Sequence, residues 1–171
     1  MLETLAPISA RVGAMLLDRR QTIAVADGAT GGLILAGLVT VPGATRFCRG
    51  GGIVYSLKGR EILLGLPRDV YADMESVTEA YAALQARAIR DRFGAQWGIA
   101  ESGAAGPDAH PGGAPAGRSC IAIAGPDRDV AMTFETGMND RIANMGAFAK
   151  AALRFLAETL EQKVVRNEPV R

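Results

Sequence analysis

Two glycine-rich turns, each directly after an apolar run, hold the residues of this sequence that are best placed for chemistry. The first reads ADGATGG over residues 26–32 and contains Asp27 and Thr30, and the second reads SGAAGP from Ser102 onwards. Glycines let backbone N–H groups approach a ligand, and a helix beginning at such a turn directs its positive end at an anion. The turns therefore predict a phosphate or carboxylate site, although the first matches neither a Walker loop nor a complete GxGxxG motif. Close backbone packing is the alternative role of these glycines.

Charged side chains near the turns are further candidates for binding or catalysis. Glu101 ends an otherwise apolar strand directly before the second turn. We expect its carboxylate to pair with Arg60 or Arg118, because buried acids are normally paired. Binding a cation and acting as a general base, alone or together with Asp27, are the alternatives. His110, the only histidine, lies in a loop rich in Gly and Pro and is expected to be solvated.

The bulk composition is that of an ordinary globular protein. The chain has 171 residues, of which 49% are hydrophobic and 22% charged, and we expect one domain over residues 1–163 with a frayed tail at 164–171. A net charge of +1 and an aromatic content of 5% argue against binding nucleic acid or an anionic membrane. Cys48 and Cys120 form no CxxC pair, so no zinc site is predicted and both thiols are expected to be reduced.

The apolar segments are too short for a membrane protein. None approaches the roughly 20 residues that a membrane-spanning helix needs. The N-terminal segment has the apolar spacing of an amphipathic helix rather than the basic and apolar regions of a signal peptide. We therefore expect a cytoplasmic protein.

Hydrophobic periodicity predicts alternating helices and strands. We expect helices over residues 2–19, 30–39, 57–64, 79–93 and 139–162, and strands over 21–26, 53–55, 97–102, 119–124 and 130–134. Early alternation followed by a late β-hairpin predicts an α/β fold, a three-layer α/β/α sandwich with a mixed sheet. Ligands in such folds bind outside the carboxyl ends of the strands, so we expect the turns at 27–32 and 102–107 to face one cleft. The long loop at 103–117 is expected to be functional or mobile.

The order of these motifs resembles the C-terminal domain family of the competence/damage-inducible protein CinA, which includes stand-alone nicotinamide-nucleotide amidases. The family pattern AESCTGG is ADGATGG here, GxVTYSNxAK is GGIVYSLKGR at 51–60, and SGIAGP is SGAAGP. The family's PVGT is PAGR at 115–118, and its late arginine matches Arg141. The correspondence extends over about residues 3–160, and the chain resembles the stand-alone form.

The resemblance implies hydrolysis of the carboxamide of nicotinamide mononucleotide, with a serine nucleophile in the first turn and a lysine base. Those two positions are Gly28 and Arg60 here. Glycine has no hydroxyl, and an arginine stays protonated and cannot accept a proton near neutrality. The family's asparagine and its cysteine in the first turn are also replaced, by Leu57 and Ala29, and the threonine of PVGT is Arg118. We therefore expect amidase activity to be lost.

Because of these changes, we assign no catalytic residue. Thr30, Asp27 and Glu101 are the candidates for relocated chemistry, although the Thr30 hydroxyl, two positions after Gly28, is expected to point elsewhere. We expect no cofactor and no metal. The residues expected to bind a ligand are Thr30, Gly31, Gly32, Tyr55, Arg60, Ser102, Gly103, Gly106, Arg118 and Arg141.

Three functional hypotheses remain. The first is a domain without amidase activity that keeps a cleft for a nucleotide or another small anion, since the new arginines favour bidentate contacts. The second is an active amidohydrolase or other hydrolase with relocated catalytic groups. The third is a structural or regulatory role, as a homo-oligomer or as the partner of an active paralogue. We expect a homo-oligomer and a small-molecule ligand.

Overall fold

The computed structural model describes residues 1–162, so the tail predicted at 164–171 lies outside the described residues. The helices are α1 (Leu2–Asp18), α2 (Leu33–Val39), α3 (Leu57–Leu64), α4 (Glu79–Arg92) and α5 (Arg141–Glu161), with short 3-10 helices at Ala44–Arg46 and Arg68–Tyr71. The strands are β1 (Ile23–Asp27), β2 (Cys48–Ile53), β3 (Trp97–Ala104), β4 (Arg118–Ala124) and β5 (Asp129–Glu135). No helix within residues 1–162 is long and apolar enough to span a membrane.

The strands form one mixed sheet in the order β2-β1-β3-β4-β5. β1 pairs in parallel with β2 and β3, whereas β3–β4 and β4–β5 are antiparallel. The parallel pairs are connected through helices and the last pair is the β-hairpin expected from the sequence. The predicted mixed sheet with a late hairpin is confirmed.

Helices cover both faces of the sheet, and the alternation along β1 shows why. Ile23 and Val25 belong to one apolar cluster, which α1, α2 and α5 complete from their side. Ala24 and Ala26 belong to a second cluster, with residues of α4 on the opposite side. Successive side chains of a strand point to opposite faces, so a strand that is apolar throughout must be covered on both. The three-layer α/β/α sandwich follows from this burial.

Glycines explain why the predicted boundaries of the second strand and of the helix after the first turn are wrong. The second strand occupies Cys48–Ile53 rather than residues 53–55, because its glycines pair directly with β1, as Gly51 does with Val25. The following helix begins at Leu33 rather than at Thr30, because Gly31 and Gly32 have φ angles of 63° and 97°. Glycine allows two backbone segments to approach closely and allows positive φ angles, and neither property is visible in a pattern of hydrophobic residues.

Candidate functional site

The carboxylate of Asp27, the last residue of β1, holds the first glycine-rich turn. It is fully buried and accepts hydrogen bonds from the amides of Ile34 (3.0 Å) and Leu35 (3.1 Å) at the start of α2. The Thr30 hydroxyl donates to the same carboxylate at 2.7 Å. The expectation that this helix end meets a ligand anion is therefore wrong, because the chain's own carboxylate takes the amides.

Glu101 reaches the same turn from β3. Its side chain is fully buried, and its Oε2 atom accepts from the Thr30 amide at 3.0 Å. The same atom lies 3.1 Å from the Thr30 hydroxyl, and Oε1 accepts from the Ser119 hydroxyl at 2.7 Å. The expected pairing of Glu101 with Arg60 or Arg118 is wrong, since Arg118 instead bonds Glu135 on the neighbouring strand at 2.7 Å.

Burial disfavours the charged form of both members of this carboxyl pair. Burial raises the pKa of Glu101, and the nearby Asp27 raises it further. Burial raises the pKa of Asp27 too, but that carboxylate accepts two backbone N–H groups and a hydroxyl, which suit its charged form. The Thr30 hydroxyl donates to Asp27 at 2.7 Å and lies 3.1 Å from Oε2 of Glu101, so it lies between the two carboxyl groups.

Glu101 also explains why positions 28 and 103 are occupied by glycine. A Cβ atom at Gly28 would lie 2.3 Å from the Glu101 carbonyl oxygen and 3.2 Å from its Oε2. A Cβ atom at Gly103 would lie 2.3 Å from Oε1 of the same residue. The backbone of β3 and the carboxyl group of Glu101 therefore leave no space for a side chain at position 28 or 103.

A cavity of about 490 Å³ lies beside these glycines. Several predicted site residues line it, namely Gly28, Tyr55, Arg60, Glu101, Ser102, Gly103, Gly106 and Arg141. Asp27, Thr30, Gly31, Gly32 and Arg118 do not line it. Four parts of the chain meet at the cavity, namely the end of β2, the start of α3, the second turn and the start of α5. Most of the first turn lies behind the cavity wall.

Two guanidinium groups are part of the cavity wall, which the acidic residue Asp108 also lines. Arg60 donates from Nε to the Val54 carbonyl oxygen at 3.0 Å and from Nη1 to the Tyr81 hydroxyl at 2.5 Å. Arg141 donates to the Gly106 carbonyl oxygen at 2.6 Å and to the Tyr55 hydroxyl at 2.9 Å. Neither arginine has a carboxylate within salt-bridge distance in residues 1–162. Both are held by neutral oxygen atoms.

Two other residues line the wall: Gln85, which the sequence did not single out, and His110, which was expected to be solvated. Gln85 lies on α4, one helical turn after Tyr81, in a segment that reads as an ordinary core-facing helix. His110 lines the cavity from the long loop, and its Nδ1 atom accepts from the Gly112 amide at 3.0 Å. His110 is half-buried rather than fully solvated. Within the described range, no three His, Cys, Asp or Glu side chains come together as metal ligands.

The family model of the CinA C-terminal domain matches residues 5–160. The chain belongs to this family. A CinA-like protein of Chlorobium limicola is 38% identical over 158 residues, which are 90% of this chain and 37% of that protein. A putative competence-damage inducible protein of Desulforamulus reducens is 41% identical over 115 residues, 67% of this chain and 28% of its own length. The chain spans about a third of the length of these curated relatives.

Solved structures give the same fold. The competence damage-inducible protein A of Klebsiella pneumoniae MGH 78578 has a TM-score of 0.86 at 24% identity, with 94% of this chain and 99% of that chain covered. A CinA superfamily protein from Klebsiella pneumoniae 700603 has a TM-score of 0.84 at 25% identity, covering 91% and 97%. These structures confirm the three-layer α/β architecture of this CinA C-terminal domain.

The fit around Gly28 predicts that a serine there is poorly tolerated. Gly28→Ser forces a Cβ atom against the backbone of β3, and overpacking of this kind costs about 1–3 kcal/mol of the free energy of unfolding. Gly146→Ser is the matched control, because a Cβ atom there meets only the Met1 side chain at 3.6 Å or more. Urea unfolding of both variants measures the difference, and equal stabilities would contradict the close packing of Gly28 against β3.

The raised pKa of Glu101 predicts a pH dependence of stability. The folded pKa of Glu101 lies above its ordinary value of 4.5, so the native state binds a proton that the unfolded chain releases. This contribution is fully present below pH 4.5 and is lost as the pH rises through the folded pKa, by up to about 1.4 kcal/mol per pH unit. Glu101→Gln, which keeps the shape and does not titrate, should flatten this decline.

Urea unfolding between pH 4.5 and pH 8.5 measures the slope in the wild type and in Glu101→Gln. Glu158→Gln is the control, because Glu158 is an exposed acid on α5, and it should keep the wild-type slope. An identical slope in all three proteins would show that Glu101 carries no proton in the folded state.

Proposed function

We propose that this chain binds a nucleotide or another small anion in the cavity beside Gly28 and does not hydrolyse the carboxamide of nicotinamide mononucleotide. The observation that carries the proposal is that two guanidinium groups without an ion pair in the described residues, those of Arg60 and Arg141, line this cavity. Hydrolysis of that carboxamide is the activity that the resemblance of the sequence motifs implies for the family.

The arginines favour an anionic ligand. A guanidinium has five N–H donors in a planar fork that matches carboxylate and phosphate oxygens. Arg141 uses two of its nitrogen atoms on Gly106 and Tyr55, and hydrogens remain for a ligand. The volume of about 490 Å³ lies within the roughly 300–1,000 Å³ that is typical of small-molecule sites. A nucleoside monophosphate is of a size that suits this cavity.

The hydroxyl groups near the cavity support the loss of hydrolysis. Thr30 is fully buried, donates to Asp27 and does not line the cavity, so it has no path to a substrate. Ser102 lines the cavity, and its oxygen accepts from the Val77 amide at 3.2 Å. In the described residues no base is hydrogen-bonded to the Ser102 hydroxyl. A serine or threonine nucleophile needs such a base, so neither hydroxyl is activated.

The same reasoning applies to the position of the family's lysine. The Arg60 guanidinium is fixed by the Val54 carbonyl oxygen and the Tyr81 hydroxyl, and it remains protonated. It therefore acts as a fixed positive charge and a structural link, and it cannot take a proton from an attacking group.

We predict that nicotinamide mononucleotide is not hydrolysed. Purified protein incubated with this nucleotide should release no ammonia above the level of a protein-free control, because no nucleophile with a bonded base faces the cavity. Turnover that depends on the protein would refute the loss of hydrolysis and favour relocated catalytic groups.

Anion binding is predicted to depend on Arg141. Arg141→Ala should weaken the binding of inorganic phosphate about tenfold or more, which corresponds to about 1.4 kcal/mol. Isothermal titration calorimetry measures the affinity. Arg87→Ala is the matched control, because Arg87 is an exposed arginine paired with Asp129 away from the cavity, and it should bind as the wild type does. Equal affinities for both variants would contradict the proposed anion site.

A further inference from the structure

A turn formed by residues 110–114, with the sequence HPGGA, holds the imidazole of His110 in the cavity wall. The His110 amide donates to the Ala114 carbonyl oxygen at 2.8 Å, and the Gly113 amide donates to the His110 carbonyl oxygen at 2.7 Å. Ala114 is buried in the apolar cluster that includes residues of α4. The turn is thus anchored to the core, and the only histidine of the chain has a fixed place beside the cavity.

A hydrogen bond from Gly112 determines which ring nitrogen of His110 carries the proton. The Gly112 amide lies 3.0 Å from Nδ1, and because a backbone N–H can only donate, Nδ1 accepts with its lone pair. A neutral imidazole has one N–H group, which must then be at Nε2. Within residues 1–162, Nε2 has no hydrogen-bond partner and no carboxylate forms an ion pair with the ring. The Nε2–H group therefore remains for a molecule in the cavity.

The same tautomer excludes His110 as the base of a relocated hydrolase. A histidine that activates a hydroxyl group must direct the lone pair of a ring nitrogen at that hydroxyl. In His110 the lone pair of Nδ1 is used by the Gly112 amide, and Nε2 holds the proton. Ser102 and His110 line the same cavity, but this imidazole can only donate there. Its chemistry is therefore that of a hydrogen-bond donor to a ligand.

The other polar groups of the cavity indicate what His110 binds. Arg60 and Arg141 present further N–H donors, whereas Asp108 and Glu101 are acidic. A ligand that contacts the imidazole and an arginine together must accept from both, as the oxygen atoms of a phosphate or carboxylate group do. We propose that His110 is a ligand-binding residue, whose Nε2–H group donates to an oxygen atom of the anion that the arginines bind. The proposal rests on the proposed function, because it adds a donor to the same anion site.

Nitrogen NMR of the imidazole tests this assignment directly. The chain has one histidine, so isotope-labelled protein without a histidine tag gives a single set of ring signals. At about pH 8, above the range in which histidines ordinarily gain a second proton, the ring should carry its proton on Nε2. Inorganic phosphate should shift the Nε2–H signal, and Arg141→Ala should need about tenfold more phosphate for the same shift. A proton on Nδ1, or an Nε2 signal that bound phosphate leaves unchanged, would overturn the inference.

Two variants separate ligand binding from a role in holding the turn. Asparagine can accept from the amide two residues further on, but its side chain is too short to place a donor at the position of Nε2. Glutamine can place an N–H group near that position, but no acceptor at the position of Nδ1. His110→Asn should therefore weaken phosphate binding about tenfold, whereas His110→Gln should bind within about threefold of the wild type. Titration calorimetry measures both affinities, with Arg87→Ala again as the control.

A purely structural His110 gives the opposite order of affinities. The hydrogen bond from Gly112 is kept in His110→Asn and lost in His110→Gln, so the glutamine variant would then bind phosphate more weakly than the asparagine variant. That order, or equal binding by both variants and the wild type, would overturn the role of His110 and leave the anion site standing. A wild-type protein that binds no phosphate would refute the proposed function, and this inference with it.

Discussion

The shared hydrogen bonds of two buried carboxyl groups determine the shape of this site. Asp27 and Glu101 lie on the parallel strands β1 and β3, and both contact the hydroxyl of Thr30. Burial raises the pKa of both carboxyl groups, so their charged forms are disfavoured. The two carboxyl groups accept from the Thr30 amide and hydroxyl and from the amides of Ile34 and Leu35. Gly28 and Ala29 of the same turn line the cavity, together with the two arginines.

The same pair determines which positions can carry a side chain. The Glu101 backbone and carboxyl group fill the space next to Gly28 and Gly103, so the adjacent cavity wall is made of backbone. Tyr55, Arg60 and Arg141 reach the cavity from other elements, and Ser102 lines it from the second turn.

The fold could be predicted from the sequence because burial on both faces produces long apolar strands and amphipathic helices. The prediction failed at β2, whose glycines contribute pairing with β1 without any hydrophobic signal. The meeting of the strand ends in one cleft also followed from topology. The hydrogen bonds between Asp27 and the start of α2 could not be predicted, because a carboxylate before a helix can either bind a ligand or cap the helix. Gln85 was missed since its position on α4 has the spacing of a core residue.

Arg60 takes the position of the lysine in the family pattern and links two elements of the scaffold. Its fork bonds the Val54 carbonyl oxygen and the Tyr81 hydroxyl at once, and its plane lies near the rings of Tyr71 and Tyr81. A lysine is a point charge on a flexible stem and cannot make these contacts together. The arginine thereby ties the end of β2 to α4 and holds the cavity wall that contains Gln85. A group that links two elements in this way is fixed in position and charge, and this suits binding rather than proton transfer.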